Sequence, residues 1–216
     1  MNPAARVALV PEHWARARTA SAALFRCGFA PVVTGGLAAW AWGHSRSPAD
    51  VDLEVTTREL VYSARTAGFE GDQGIAELTD ALLRAAGIGN RESDGPRVDV
   101  VPAPRGTECP HDAWTWVGGL PIAAPWYLTT RALLRIAADA KGPDALGDVV
   151  FRRGVALRDL DTARGLARMF PDMEVHPAVK HALPVVRSRA ADLDAVRSAV
   201  GGVPAPLLRW VAGFTR

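Results

Sequence analysis

The sequence predicts an α/β (α+β) protein, with a small mixed sheet flanked by helices over residues 1–124 and a helical lobe over residues 125–216. Three observations carry this expectation. Short apolar or alternating runs, bounded by glycine and proline, lie before Pro125 and have the pattern of strands. Beyond Pro125 the apolar residues recur at helical spacing. Finally, Gly35-Gly36 follows one apolar run, and Asp50-Val51-Asp52 opens an alternating one, a layout of strand, turn, helix and strand.

Taken in order, Glu12 to Arg26 reads as a helix behind Pro11. Trp14, Ala17, Ala20 or Ser21, Leu24 and Phe25 form its apolar side, and Gly28 ends it. Pro31 to Thr34 is a short strand, and Gly35 to Trp42 a helix that stops at Gly43. Val51 to Val55 alternates like a half-buried strand. Thr57, with Glu59 behind it, starts a helix to about Ala67, and a further amphipathic helix spans Ile75 to Ala86. Gly87 to Pro96 is a loop, Arg97 to Pro102 a strand, and Pro104 to His111 a second loop. One or two strands are expected around Gly118-Gly119, between Trp114 and Ala124. Helices then follow over Trp126–Asp139, Ala156–Met169, Ala178–Val200, with an interruption near Pro184, and Pro206–Phe214.

Composition narrows the class. A chain of 216 residues, 49% hydrophobic and 22% charged, is ordinary for a soluble globular protein. No apolar run approaches the ~18 residues of a membrane span, and the start lacks the apolar core of a signal peptide. Cys27 and Cys109 have no metal-ligand or CxxC spacing, so buried free thiols and a cytoplasmic location are expected. The net charge of +2 excludes a polybasic tail. Arginine nevertheless supplies 23 of the 25 basic residues, leaving Lys141 and Lys180 as the only lysines. Guanidinium forks suit phosphates and planar bases, but genome composition is the favoured explanation of the same bias. The five histidines form no HExxH pattern, and no Walker loop or Ser/His/Asp arrangement occurs.

The chemistry concentrates in residues 34–53. Asp50 and Asp52 stand at i and i+2, so on a strand their side chains share a face. Carboxylates held side by side are costly unless a cation lies between them. By themselves the pair also reads as two solvated strand charges. Gly35 and Gly36 open a helix whose bare amides suit an anion. Asp99, in Arg97-Val98-Asp99-Val100, offers a third carboxylate on a later strand.

Gly35-Gly36, Asp50-Val51-Asp52 and Asp99 together resemble the nucleotidyltransferase superfold of the polymerase-β-like enzymes. The frame Gly35-Gly36, Gly43, Arg46, Asp50, Asp52 is similar to small bacterial members reading GGxAxxxxGxxRxTxDhDL. Lys141, followed by Arg158-Asp159-Leu160-Asp161, resembles the tail of the MenT-like and abortive-infection nucleotidyltransferase toxins of toxin–antitoxin systems. One position departs from the pattern, since Pro48 stands where the group carries Thr or Ser, with Ser47 one residue away. The departure touches the phosphate contacts of that turn and leaves the carboxylates intact.

The resemblance implies roles. Asp50, Asp52 and Asp99 would hold Mg²⁺, with Mn²⁺ as the alternative, and Asp99 would take the proton of an attacking hydroxyl. Gly35, Gly36, Arg46 and Ser47 would bind the nucleotide phosphates. Lys141 would touch the triphosphate and Asp159 orient it, with Asp161 competing for that role. The implied activity moves an NMP from an NTP to an acceptor hydroxyl, the tRNA 3′ end, in a toxin held in check by a cognate antitoxin protein. Two alternatives remain open: an adenylyltransferase acting on aminoglycosides or lincosamides, and a non-catalytic partner-binding module of the same fold. No membrane partner is expected.

Overall fold

A computed structural model describes residues 2–68, 71–89, 95–102 and 113–139, together with 161–163, 165–170, 172, 177 and 179. The chain divides into two compact units, Met1–Ala124 and Pro125–Arg216. The first is mixed α/β, a five-stranded sheet flanked by helices.

Its order is α1 (Pro3–Val7), α2 (Pro11–Arg26), β1 (Val32–Thr34), α3 (Gly35–Ala41), β2 (Asp50–Val55), α4 (Thr57–Thr66), α5 (Gly71–Ala85), β3 (Arg97–Pro102), β4 (Trp114–Val117) and β5 (Leu120–Ala123). The short α1 has no signal in the apolar periodicity. It forms because the Asn2 side chain caps it, accepting the Ala4 N–H at 2.9 Å, with Pro3 at the first helical position. Helix α5 also starts earlier than its apolar pattern suggests, at Gly71 rather than Ile75.

Helix α2 buries Trp14, Ala17, Ala20, Ser21, Ala23 and Leu24. Phe25, expected on that side, is 44% exposed because it lies past the edge of the stripe centred on Leu24 and Ala17. Cys27, expected buried, is an exposed free thiol in the turn that ends α2. The β4–β5 hairpin turns through Gly118 and Gly119, both at positive φ (54° and 87°), as a two-residue turn of the primed type requires. A Cβ on Gly118 would sit 3.1 Å from the Trp14 ring, so the turn lies directly on α2.

The sheet order is β3-β2-β1-β5-β4. Strand β2 runs antiparallel to β1 and parallel to β3, and β5 is parallel to β1 and antiparallel to β4. In-register partners share a face of the sheet. One face therefore collects Val33, Val51, Leu53, Val98 and Ile122, all fully buried, and forms the core. The other collects Thr34, Asp50, Asp52, Glu54, Arg97 and Asp99. This second face carries the charge.

In the second unit α6 (Pro125–Asp139) buries Tyr127, Leu128, Ala132 and Leu133. Residues 161–163 and 165–169 are helical and contribute Ala163 and Leu166 to its interior. Of the helix expected over 178–200 only Val179 is described, helical and buried, while the helix over 206–214 and the loop over 104–111 lie outside the described residues. Among the described residues no helix is long and apolar enough to cross a membrane.

Candidate active site

The candidate site is built where β1 ends and β2 and β3 begin. Thr34 is the last residue of β1 and the register partner of Asp52. Asp52 is in turn the parallel partner of Asp99 on β3, one strand spacing away, about 4.8 Å. Asp50, two residues earlier on the same face, is partnered by Arg97. The alternation Asp-Val-Asp-Leu-Glu-Val keeps Val51, Leu53 and Val55 in the core, which forces every acidic residue of the strand onto the opposite face. Asp50 and Asp52 are half-buried.

Gly35 closes one side. It begins α3 at φ +59°, a left-handed conformation that favours glycine. A Cβ there would fall on Asp52 Oδ2, 2.7 Å from Cγ and 3.1 Å from the Asp52 Cβ. The carboxylate of Asp52 therefore lies against the first residue of α3, in a cradle that any side chain would fill. Gly36 has a different surrounding: its would-be Cβ meets only Pro48, at 3.7 Å or more. Pro48 is buried and lies beside the helix start.

The loop from α3 to β2 carries Arg46 and Ser47, both exposed. Its shape is fixed from within. His44 is buried, and its Nδ1 accepts the Arg46 backbone N–H at 3.2 Å, while its own N–H donates to the Ala39 carbonyl. Arg6, on α1, donates to the carbonyls of Trp40 and His44 and lies 4.2 Å from the Trp40 ring centroid. Trp42 donates its indole N–H to the Ala123 carbonyl at 2.7 Å, tying the loop to β5. Trp40 and Trp42 thus serve as packing and anchoring groups.

Asp99 has a partner on its own strand. Arg97 Nε donates to its Oδ1 at 2.7 Å, and Nη2 makes an ion-pair contact with the same oxygen at 2.7 Å. Among the described residues, no three His, Cys, Asp or Glu side chains converge on one metal-binding point. Backbone register aligns Asp99 with Asp52, while its carboxylate is turned toward Arg97. As carboxylate oxygens, the donors suit Mg²⁺ or Mn²⁺ in kind, and Asp52 and Asp99 stand on adjacent strands.

The structure thus brings Asp50, Asp52, Asp99 and Gly35 together, sets Gly36 beside them against Pro48, and places Arg46 and Ser47 on the adjoining loop. Lys141 and Asp159 lie outside the described residues; Asp161 is exposed in the second unit. Two further residues belong to this face and to no motif. Glu54 continues the Asp50–Asp52 face and is 2% exposed, a signal visible in the unbroken i, i+2 run of acids. Arg97 is placed only by strand pairing. The chain matches no protein-family model, no curated protein and no solved structure.

Proposed function

We propose that this chain is a metal-dependent nucleotidyltransferase that transfers an NMP from an NTP to an acceptor hydroxyl and releases pyrophosphate. The observation that carries the reading is the parallel register of β2 and β3, which aligns Asp52 with Asp99 while Asp50 stands on the same face. The Gly35 cradle supports it, because the strand-to-helix turn is pressed against the carboxylate it would serve.

The roles are those the resemblance implies. Asp50, Asp52 and Asp99, which share one face of β2 and β3, would hold the divalent cation. Divalent cations here would offset the charge on the entering and leaving oxygens of an in-line displacement. Asp99 takes the proton of the attacking hydroxyl. The amides of Gly35 and Gly36 face the phosphate chain, and Arg46, displayed by the His44-fixed loop, contributes a guanidinium to it. Thr34, buried at the end of β1, sets the level at which α3 starts.

The acceptor we propose is the 3′ end of tRNA, with the protein acting as a toxin neutralised by a cognate antitoxin. This extension rests on the likeness of Lys141 and Asp159 to the toxin tail and on the arginine-rich composition. Incubating the full chain with each labelled NTP, total tRNA and Mg²⁺ or Mn²⁺ at low salt tests it. Label is expected at the tRNA 3′ end, and none with D52N. Unlabelled tRNA refutes the acceptor, and labelling of an aminoglycoside instead would redirect the reading to a small-molecule adenylyltransferase. If no NTP yields pyrophosphate with any acceptor, the transferase reading fails.

A further inference from the structure

The sheet ends differently on its two sides. At one edge β3 presents the charged pair of Arg97 and Asp99 and closes on Pro102, which has no N–H. Charge and proline are the means by which proteins blunt a sheet edge. At the other edge β4 reads Trp-Thr-Trp-Val and carries neither. Thr115 and Trp116 are exposed, Trp116 at 59%, and the Trp114 and Trp116 rings meet edge to face with centroids 5.7 Å apart.

The hairpin register fixes which backbone groups of β4 point outward. Opposed residues of an antiparallel pair alternate between exchanging hydrogen bonds and making none. The Ala124 N–H donates to the Ala113 carbonyl at 2.6 Å, so that rung is a bonded one. Trp114, opposite Ala123, is then on an unbonded rung and Thr115, opposite Ile122, on a bonded one. Trp116 lies opposite Pro121, which has no N–H to give. The N–H and C=O groups of Trp114 and Trp116 are therefore turned to the outer edge, and among the described residues no strand lies beyond them.

We propose that this edge is a self-association surface, on which β4 pairs antiparallel with β4 of a second copy about a two-fold axis at Thr115. Three features select a second copy as the occupant. The strand is uncharged, so two copies meet without like charges in opposition. Its outward groups are also self-complementary. With the two Thr115 residues opposed, Trp114 faces the partner's Trp116 and Trp116 faces the partner's Trp114, so outward donors meet outward acceptors and all four indoles share one face. Finally, the contact is isologous and closes at two, because the β3 edge, guarded by Arg97 and Asp99, offers no second site. Only four residues of each strand take part, so the interface falls below the ~1,200 Å² of a standard complex and the dimer is weak and concentration-dependent.

Sedimentation velocity of the full chain over a concentration series, with amide hydrogen exchange followed in parallel, tests the surface. Neither metal nor nucleotide enters the measurement. The parent is expected to move from monomer toward dimer as concentration rises. Exchange at the Trp114 and Trp116 amides should slow about twofold where half the chains are paired, while the Thr115 amide, already bonded to β5, keeps its rate. T115K and T115E, both at an exposed position, set like charges face to face and are expected to stay monomeric with the parent's thermal midpoint at low concentration. Mixed in equal amounts they should regain the dimer, which a substitution that merely damaged the strand would not do. A parent that remains monomeric throughout overturns the proposal and leaves the edge to an extended segment of another protein. A dimer that persists in both T115K and T115E, or a mixture no more associated than either variant alone, overturns it equally.

Discussion

The two glycines of the Gly35-Gly36 pair should respond in opposite ways to alanine. At Gly35 an added Cβ meets two penalties. The backbone φ of +59° costs an L-residue about 1–2 kcal/mol. The methyl also lands on the Asp52 carboxylate, 2.7 Å from its Cγ, so that side chain must rotate away at roughly 0.5–1.5 kcal/mol. G35A is therefore expected to lose about 1.5–3.5 kcal/mol. At Gly36 the methyl has only ordinary contact with Pro48 at 3.7 Å, inside a helix where alanine is favoured over glycine by about 0.5–1 kcal/mol. G36A should be neutral or slightly stabilising.

Thermal unfolding of the full chain in the presence of a chelator checks this. For a chain of this size each kcal/mol moves the midpoint by about 2–4 °C, so G35A should melt about 3–14 °C below the parent. A second substitution separates the two penalties. In a D52A background the carboxylate is gone and only the Cβ at 3.1 Å remains, so the cost of G35A should fall to its backbone part, about 1–2 kcal/mol. Two results would refute the reasoning: G35A as stable as G36A, or a G35A penalty that D52A leaves unchanged. The second would mean that the Asp52 carboxylate does not rest on the helix start.

Three further outcomes are expected. R6A removes two donors to the carbonyls of Trp40 and His44 and the guanidinium over the indole, so its urea midpoint should report a loss of about 2–3 kcal/mol, of which R6K recovers less than half. H44F deletes the acceptor of the Arg46 N–H, which should cost about 1–2 kcal/mol and speed hydrogen exchange at the Arg46 amide, while H44N protects that amide more than H44F does. L37A, in a position with no exposure, should lose about 2–5 kcal/mol, whereas W116A, 59% exposed on the edge strand β4, should change stability by less than about 1 kcal/mol in the same denaturant series.

Much of the first unit is legible because its signals are local. Gly-Gly after a valine pair announces a turn into a helix, and Asp-Val-Asp-Leu-Glu-Val announces its two faces, since three apolar residues at alternate positions can only point one way. Both are readable without any partner. The exposure of Phe25 and Cys27 is not, because each lies one step outside a stripe or beyond a helix end, where neighbouring elements decide burial. Arg97 illustrates the harder limit. In sequence it is one of 23 arginines, and only pairing with β2 sets it opposite Asp50 and beside the carboxylate of Asp99. The candidate site is thus half local, in Gly35, Asp50 and Asp52, and half topological, in Asp99 and Arg97.

The topological half is also the more exacting. Side chains alternate along a strand, so a slip of β3 by one residue would send Asp99 into the apolar core and bring Val98 or Val100 opposite Asp52. What prevents the slip is the same alternation that defines the core. Val98 has no exposure and faces Val51, also fully buried, so the shifted register would bury a carboxylate and expose a valine at once. Desolvating that carboxylate without a partner costs more than the pair of exposed charges contributes. The geometry of the three acids is therefore held by the apolar residues between them, Val51, Leu53 and Val98, and not by the acids themselves, whose mutual repulsion works against it. Substitution at those valines and that leucine should disturb the candidate site before any change to its charged groups is made.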